Sequence, residues 1–301
     1  MDEFELIDLI VAELAGVAAG GAVVLGPGDD GCALHPPVGE LLVSSIDSLV
    51  AGVHFPAGAD PELVGYRALM VSLSDLAAMG AEAAQVLVAL TLPEVDERWA
   101  RGLARGMRRA AERAAVKLPG GNIARGPLNI AVSVHGFCPA AGMLTRSGAR
   151  PGDRIYVTGS LGGAAAALAR GGLESISLAG GLDALSARYF QPEARLDAGV
   201  ALRGIATSAI DVSDGLLQDL GHLCRASKVG AEVTASCVPI CEGAVLQQAL
   251  SGGDDYELLF TAASVLPELA LPVHCLGEIV ATPGVRVDGR EVGAGGYRHF
   301  S

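Results

Sequence analysis

The strongest constraint on the fold is the alternation of short apolar segments with longer segments of helical spacing in both halves of the chain. Apolar segments at 41–46, 83–92 and 128–137 predict strands, and the first of them reads as a buried strand. Between the first two, Asp60-Pro61 predicts the start of a helix, because an acidic N-cap and a proline at the first helical position favour the same start. No short repeat is present in the sequence. We therefore expect an α/β fold rather than a solenoid or a propeller.

The second half repeats this alternation after a turn-rich stretch at 139–153. With about 150 residues per domain as a prior, the 301 residues predict two domains, 1–140 and 141–301. The other predicted elements are helices at 4–15, 94–116, 163–170 and 214–227 and strands at 154–158, 209–212, 231–234 and 256–261.

The charge balance excludes some classes of function. The chain has 21 basic and 34 acidic residues, a net charge of −13, and its lysines are Lys117 and Lys228 alone. Nucleic-acid binding requires clustered positive charge, so we expect no nucleic-acid partner. The pattern G-x-x-x-x-G-K-[ST] does not occur, so any phosphate is bound without a P-loop lysine.

Two further patterns concern localisation and redox state. The N-terminal residues are acidic and lack the basic start and apolar core of a signal peptide, and the longest apolar stretch, 83–92, is too short to span a bilayer. We therefore expect a cytoplasmic protein without a membrane partner. The six cysteines contain no C-x-x-C pair, so we expect free and mostly buried thiols.

Acidic residues lie next to glycines or at the ends of predicted strands. The four clusters are Gly28-Asp29-Asp30-Gly31, Ser44-Ser45-Ile46-Asp47, Asp211-Val212-Ser213-Asp214-Gly215 and Gly252-Gly253-Asp254-Asp255-Tyr256-Glu257. Asp75 lies in an otherwise small and apolar helical segment, where a carboxylate is costly to desolvate unless it is paired or binds a cation. Any one Asp-Gly pair is also ordinary turn chemistry. Acids that converge at one cleft repel one another, however, and Mg²⁺ ions bound together with phosphates relieve that repulsion.

Two glycine-rich stretches are candidate anion sites. We expect the stretch 117–122 to end a helix in a Gly-Gly turn whose N–H groups approach a phosphate, and the stretch 159–163 to open a helix whose N-terminus favours an anion. Together with the carboxylates, these stretches predict a nucleotide polyphosphate held by backbone groups and magnesium.

A set of strings in this sequence resembles the thiamine-monophosphate kinase family. In order along the chain they are GPGDDGCAL, SSIDSLVAGVHF, SLSDLAAMGA, PGGNIARGPL, RSGARPGDRIYVTGSLGGAAAAL, DVSDGLLQDL, SGGDDYELLFT and GYRHF. The resemblance covers nearly the whole chain and is specific, because several unrelated strings agree in order and approximate spacing.

The resemblance implies a fold and an activity. The family shares with aminoimidazole ribonucleotide synthetase, selenophosphate synthetase and a hydrogenase maturation protein a two-domain α/β (α+β) fold, in which the N-terminal sheet forms a barrel in a homodimer. The implied reaction is direct in-line transfer of the ATP γ-phosphoryl group to thiamine monophosphate, which gives thiamine diphosphate and ADP with the help of several Mg²⁺ ions. A phosphate oxygen is already nucleophilic, so we expect no covalent protein nucleophile and no catalytic residue other than those that position the substrates and the metal.

The resemblance also assigns site residues. The positions that match metal ligands are Asp30, Ser45, Asp47, Asp75, Asp211 and Asp214. The positions assigned to ATP are Gly121, Asn122, Arg146 and Ser213, and those assigned to thiamine monophosphate are His54, Glu257 and Tyr297. Purely structural roles stay open for three of them: a core histidine for His54, a packing aromatic for Tyr297 and a surface charge for Arg146.

This sequence departs from the family pattern at two positions. The family motif Gly-Gly-Asp-Thr is Gly120-Gly121-Asn122-Ile123 here, and Ile46 replaces the usual threonine before Asp47. Both changes remove oxygen ligands or charge from one expected magnesium site. The alternatives are therefore an active kinase with a weakened site, an active kinase whose metal is completed by ATP and the other acids, and a homologue that binds ligands but turns over poorly.

The rival functions come from the same superfamily. We expect no hydrogenase maturation activity, because the sequence ends in His299-Phe300-Ser301 without a cysteine to modify, and no selenophosphate synthesis, because Cys32 has no neighbouring lysine. Aminoimidazole ribonucleotide synthesis stays open.

Overall fold

The computed structural model describes residues 2–28, 30–263, 266, 268–293 and 295–297. The chain forms two compact units. The first unit comprises Met1–Leu76, Glu82–Pro139 and Gly172–Asp183, and the second comprises Ala77–Ala81, Ala140–Gly171 and Ala184–Ser301.

The first unit contains a four-stranded sheet with the strand order β3-β6-β4-β5. The strands β3 (Glu40–Val50), β6 (Asn129–Pro139) and β4 (Glu82–Leu92) pair antiparallel, whereas β5 (Lys117–Arg125) runs parallel to β4. Two short strands, β1 (Val23–Leu25) and β2 (Ala33–Leu34), form a separate pair.

Helices α1 (Glu3–Glu13), α2 (Pro61–Ala78) and α3 (Glu97–Arg113) are named in chain order. Helix α2 begins at the predicted proline, and Leu69, Leu73 and Leu76 on it are fully buried. Helix α3 begins three residues later than predicted, because the Asp96 side chain accepts a hydrogen bond from the backbone N–H of Trp99 and caps the helix there. Both α2 and α3 therefore bury apolar side chains in the core of the first unit.

The predicted buried strand at 41–46 is longer and more exposed than expected. Strand β3 extends to Val50, so Asp47 lies inside it rather than at its end. Side chains alternate between the two faces of a strand, and Leu42 and Ile46 on one face of this edge strand are 61% and 67% exposed. The apolar run was therefore a poor guide to burial, since it cannot show which strand lies at the edge of the sheet.

The predicted Gly-Gly turn at 117–122 is wrong, because these residues form the first part of β5. Gly121 pairs with Val88 of β4, and a Cβ added at Gly121 would lie 2.3 Å from the Val88 carbonyl oxygen. The glycine thus permits close approach of two parallel strands. Pairing with β4, about thirty residues earlier in the chain, therefore overrides the turn propensity of the two glycines.

The second unit contains a seven-stranded mixed sheet with the order β13-β12-β9-β11-β7-β10-β8. Its strands are β7 (Arg154–Thr158), β8 (Ser208–Asp211), β9 (Gly230–Val233), β10 (Leu258–Ala262), β11 (Val273–Val280), β12 (Gly284–Val287) and β13 (Arg290–Glu291). Its helices are α4 (Gly163–Arg170), α5 (Ala184–Phe190), α6 (Leu196–Ala201), α7 (Leu216–Ser227) and α8 (Leu246–Ser251). Buried aliphatic residues of β7, α7 and β11 contribute to its main core, so the loop before α7 leads directly into a core element.

The structure tests two predictions, one about the state and burial of the cysteines and one about membrane-spanning helices. All six cysteines are free as predicted, but they are not mostly buried: Cys138 and Cys224 are buried, whereas Cys237 and Cys275 are exposed. Among the described residues, no helix combines the length and the apolar character that crossing a membrane requires.

Candidate active site

In the first unit, the structure brings together Ser45, Asp47 and Asp75, which we call the strand–helix cluster. Ser45 and Asp47 are two residues apart on β3, so their side chains share one face of the strand. The Ser45 hydroxyl donates a hydrogen bond of 2.5 Å to Asp75 Oδ2 on α2. The sequence predicted all three residues, and their meeting confirms that Asp75 is not an isolated carboxylate in an apolar helix.

The electrostatics of this cluster disfavour two ionised acids. Burial, and next the charge of Asp75, raise the pKa of Asp47 from 3.8 to about 6, although a hydrogen bond from the Ser72 hydroxyl lowers it. A cation bound between the two carboxylates removes their repulsion and favours the ionised form of both. The donor set, two carboxylates and a hydroxyl, consists of oxygen atoms only and fits a hard divalent ion such as Mg²⁺.

Asp30, Gly121 and Asn122 line a cavity of about 730 Å³ in the first unit. Its other walls include apolar residues of α1, α3 and β4, such as Ile10 and Met107. Ile46 lies on the opposite face of β3 from Asp47 and also lines this cavity. The two departures from the family pattern, Ile46 and Asn122, therefore face one cavity. Asp29 lies outside the described residues.

In the second unit, Asp211, Asp214 and Asp219 form a second acidic group, which we call the loop cluster. Asp211 is the last residue of β8, and Asp214 lies in the turn that leads to α7. Asp219 is 2% exposed, and its Oδ2 accepts hydrogen bonds of 3.1 Å from the backbone N–H groups of Ser213, Asp214 and Gly215. The turn that carries the predicted metal and ATP residues is thus shaped around one buried carboxylate.

Sequence reasoning missed Asp219, although a signal was available in the acidic residue one turn into a helix that follows Asp-Gly. Burial, followed by the charges of Asp211 and Asp214, raises the pKa of Asp219 to about 7, while the backbone hydrogen bonds lower it. Carboxylate oxygens of Asp214 and Asp219 and a ring nitrogen of His222 all lie within 4.8 Å of one another. This unit therefore also offers clustered ligand atoms of the kind that a divalent ion requires.

Two acidic stretches of the second unit, 211–215 and 252–257, lie against each other. The backbone N–H of Asp254 donates to the Ser213 carbonyl at 2.7 Å, and that of Tyr256 donates to the Val212 carbonyl at 2.9 Å. Asp254 and Tyr256 both have positive φ angles, 64° and 54°, a conformation that side chains other than those of glycine rarely adopt. Pairing with the loop before α7 therefore holds the backbone at 254–256 in an unfavourable conformation.

The predicted anion site at the N-terminus of α4 is wrong, because a side chain of the protein already occupies it. The N–H of Gly162 donates to both carboxylate oxygens of Asp255, at 2.8 and 3.0 Å. Burial raises the pKa of Asp255 to about 8, although the bond from Gly162 and the charge of Arg188 lower it. The Gly162 N–H that an anion would contact is therefore satisfied by a carboxyl group of the protein itself.

Glu257 lies within an ion-pair network and is 1% exposed. Its oxygens accept hydrogen bonds of 2.6 and 2.7 Å from the Arg195 guanidinium and one of 2.7 Å from the Thr158 hydroxyl. Arg188 approaches Glu257 at 3.5 Å and also donates to the carbonyl and hydroxyl of Ser160. Both arginines were missed, since they lie more than sixty residues from Glu257 and no local pattern marks them.

The remaining predicted residues lie in partly or fully exposed positions. His54 is half-buried in the first unit, and its Nδ1 accepts a hydrogen bond of 3.0 Å from the Val50 N–H. In the second unit, Arg146 is exposed, and Tyr297 is 44% exposed with its N–H donating to the Asp214 carbonyl. Tyr297 thus adjoins the loop cluster. The rest of the GYRHF string after Tyr297 lies outside the described residues.

Comparison with known proteins places this geometry in a family. Residues 28–138 match the model of the AIR synthase related protein N-terminal domain, and residues 150–287 match that of the C-terminal domain. The thiamine-monophosphate kinase of Escherichia coli K12 is 43% identical over 277 residues, which cover 86% of this chain and 85% of that protein.

Solved structures agree with the sequence comparison. The thiamine-monophosphate kinase from Stenotrophomonas maltophilia superposes with a TM-score of 0.86 at 39% identity and covers 97% of this chain and 98% of that one. The structure of AaThiL complexed with AMPPCP and TMP has a TM-score of 0.80 at 30% identity and covers 99% of this chain and 97% of that one. The predicted two-domain fold is therefore confirmed, and this chain belongs to the thiamine-monophosphate kinase family of AIR synthase related proteins.

Proposed function

We propose that this protein transfers the γ-phosphoryl group of ATP directly to thiamine monophosphate, which gives thiamine diphosphate and ADP. The observation that carries the proposal is the similarity, over nearly the full length of both chains, to a family member complexed with AMPPCP and TMP. Family membership at 43% identity to the Escherichia coli enzyme supports the same activity. The acidic clusters in each unit supply the charge-handling groups that such a reaction requires.

The cavity of the first unit is the proposed nucleotide site. Its apolar walls suit a purine ring, and Gly121 and Asn122 lie at its β5 edge. Ser213 and Arg146 of the second unit are the other proposed ATP contacts. Reaction requires two anions held in line, so these residues act by binding and orienting the substrates rather than by covalent chemistry.

Thiamine monophosphate is the proposed ligand of His54, Tyr297 and the network around Glu257. Because Glu257 is buried and accepts hydrogen bonds from Arg195 and Thr158, its proposed role is to fix neighbouring groups for the substrate. Tyr297 presents a partly exposed ring beside the loop cluster.

The proposed magnesium ligands are Asp30, Ser45, Asp47, Asp75, Asp211 and Asp214. When bound, Mg²⁺ neutralises the charge that develops on the transferred phosphoryl group. The side chains of this protein would hold the ion and set its position. Asp219 fixes the backbone around Asp214 through its three hydrogen bonds.

The proposed oligomer is a homodimer formed through strand β3. This strand lies at the edge of its sheet and exposes Leu42, Ile46 and Val50 on one face, an apolar row that is costly to leave in water. The proposed location is the cytoplasm, where six free thiols stay reduced.

A coupled assay tests the proposal directly. The purified protein is incubated with ATP and thiamine monophosphate across a series of magnesium concentrations, and thiamine diphosphate is quantified against a control without enzyme. A second reaction offers formylglycinamidine ribonucleotide in place of thiamine monophosphate. Formation of thiamine diphosphate supports the proposal, whereas turnover of the ribonucleotide alone contradicts it.

A binding measurement distinguishes the weakened homologue. If Asn122 and Ile46 have abolished catalysis, an ATP analogue with magnesium still raises the melting temperature, because ligands that bind only the folded state stabilise it. Stabilisation without product formation therefore favours the binding-only alternative over the kinase.

A further inference from the structure

The side-chain amide of Gln218 joins the loop cluster to the segment that contains Tyr297. Its Nε2 donates hydrogen bonds to Asp214 Oδ2 at 2.7 Å and to the Tyr297 carbonyl at 3.0 Å. A third hydrogen bond, from the Tyr297 N–H to the Asp214 carbonyl at 3.1 Å, links the same two residues directly.

The chemistry of its neighbours fixes the orientation of this amide. Both partners of Nε2 are acceptors, so a reversed amide would place Gln218 Oε1 against the Asp214 carboxylate. Gln218 is 8% exposed, and its Oε1 has no hydrogen-bond partner among the residues that the structure describes. An amide that leaves a buried oxygen unpaired while its NH₂ group serves two acceptors is oriented by those acceptors.

The backbone beside Tyr297 fits closely against Gln218. A Cβ added at Gly296 would lie 2.6 Å from Gln218 Oε1 and 2.8 Å from the Asp214 carbonyl oxygen. Only glycine therefore allows the segment to lie this close, and the contact between Tyr297 and Asp214 depends on that approach.

We propose that Gln218 is a positioning residue that couples the metal ligand Asp214 to the substrate-binding segment at Tyr297. The inference rests on the proposed function, which assigns those two roles. By fixing Asp214 Oδ2, the amide leaves the other carboxylate oxygen to face a cation. By fixing the Tyr297 carbonyl, the same amide sets the place of the Tyr297 ring, so ordering of one group favours ordering of the other.

Hydrogen exchange tests the link without any catalytic readout. Gln218→Met keeps the length of the side chain and removes the amide. We expect exchange of the Tyr297 amide to accelerate about fivefold, the ratio that corresponds to one lost hydrogen bond. Gln247→Met, the same change at an exposed glutamine on α8, is the matched control and leaves that rate unchanged. An unchanged Tyr297 rate in Gln218→Met overturns the proposal.

Steady-state kinetics then separates positioning from a general structural role. In Gln218→Met we expect KM for thiamine monophosphate to rise about fivefold, because the Tyr297 segment loses its side-chain anchor. KM for ATP should change by less than about twofold, because the backbone hydrogen bonds to Asp219 still hold the turn that carries Asp214. Equal increases in both KM values contradict the coupling. Gln218→Glu is the second variant, since it retains the shape and sets a carboxylate against Asp214; a smaller rise in KM for thiamine monophosphate than in Gln218→Met also contradicts it.

The two proposals fail in different ways. If the wild-type protein forms no thiamine diphosphate, the proposed function fails, yet the exchange of the Tyr297 amide still tests the link between Asp214 and Tyr297. If the wild-type protein is active and Gln218→Met matches it in both exchange and KM, the coupling alone fails.

Discussion

The strand–helix cluster and the loop cluster bring acidic side chains together by different means. In the strand–helix cluster, Asp47 and Asp75 receive hydrogen bonds from the Ser72 and Ser45 hydroxyls, respectively. In the loop cluster, Asp219 accepts three backbone N–H bonds and so organises the turn that carries Asp214. One cluster consists of ligand candidates alone, whereas the other contains an acid that acts as part of the scaffold.

This difference separates two uses of a buried carboxylate. An acid that accepts several backbone N–H groups fixes the backbone, and its loss distorts the turn. An acid held mainly against another acid carries a cost that a bound cation relieves. Removing the charge of Asp47 should therefore stabilise the fold, whereas removing the carboxyl group of Asp219 should leave its backbone donors unpaired and distort the turn.

The largest expected effect is on catalysis in the strand–helix cluster. Asp47→Asn removes a proposed metal ligand, and we expect kcat to fall by about a thousandfold, the scale at which loss of one preorganised electrostatic group is felt. The measurement is thiamine diphosphate formation at saturating magnesium. Ser48→Ala, on the opposite face of β3, is the control and should keep its activity. Near-normal turnover in Asp47→Asn would exclude Asp47 as a metal ligand.

The same variant should be more stable than the wild type when metal is absent. The pKa of Asp47 rises from 3.8 in the unfolded chain to about 6 in the folded protein, so the folded state binds the proton more tightly. The ionised form therefore destabilises the fold, by at most about 3 kcal/mol at 1.36 kcal/mol per pKa unit.

The raised pKa of Asp47 also determines how the stability of the protein should depend on pH. Asp47 costs nothing below about pH 4, where both states are protonated, and its full cost is reached above about pH 6. Denaturant unfolding in EDTA should show Asp47→Asn matching the wild type at the acidic end and exceeding it at pH 8. A variant that is less stable than the wild type at pH 8 contradicts the electrostatic account.

A smaller effect on catalysis, with the opposite effect on stability, is expected in the loop cluster. Asp219→Ala leaves three backbone N–H groups without their acceptor, and the free energy of unfolding should fall by about 2 kcal/mol at about pH 4. The measurement belongs at that pH because the raised pKa of Asp219 leaves its carboxyl group protonated in the folded state there, while the unfolded chain is close to its ordinary pKa of 3.8, so that its charge has little effect. We expect kcat to fall about tenfold, because the turn that carries Ser213 and Asp214 loses its shape. Asp219→Asn retains an acceptor oxygen and should lose less. An Asp219→Ala protein as stable as the wild type would remove the distinction between the clusters.

The smallest expected effect is a gain at the cavity. Asn122→Asp restores the charge that the family pattern has on β5, and the magnesium concentration for half-maximal rate should fall about threefold, since a carboxylate binds a hard cation better than an amide does. The assay is the magnesium dependence of thiamine diphosphate formation. An unchanged midpoint would show that position 122 does not contribute to metal affinity.

Local patterns predicted the elements that depend on local chemistry. Asp60-Pro61 marked the start of α2 correctly, and the helical spacing around Asp75 placed that acid on α2 among buried leucines. Those signals lie within a few residues of one another, because capping and side-chain periodicity act over one or two helical turns. The family strings likewise identified the fold and the family that the comparisons confirm.

The predictions that were wrong concern segments whose hydrogen-bond partners lie far away in the sequence. The 117–122 stretch became a strand because it pairs with β4, and the N-terminus of α4 was occupied by Asp255, more than ninety residues away in sequence. The partners Asp219, Arg188 and Arg195 were missed for a related reason. An ion pair or a backbone cap is defined by distance in space, and a single sequence records only distance along the chain.

By itself, the sequence determined the alternating α/β architecture, the family and the residue types that can hold phosphate and magnesium, because these depend on periodicity and on ordered motifs. Only the tertiary structure decided which acids lie against another acid and which accept hydrogen bonds from the backbone. Asp75 and Asp219 are both aspartates within helices, yet one faces Asp47 and the other faces three N–H groups. The role of a carboxylate is set by the donors and charges around it, and those neighbours are brought together only when the chain folds.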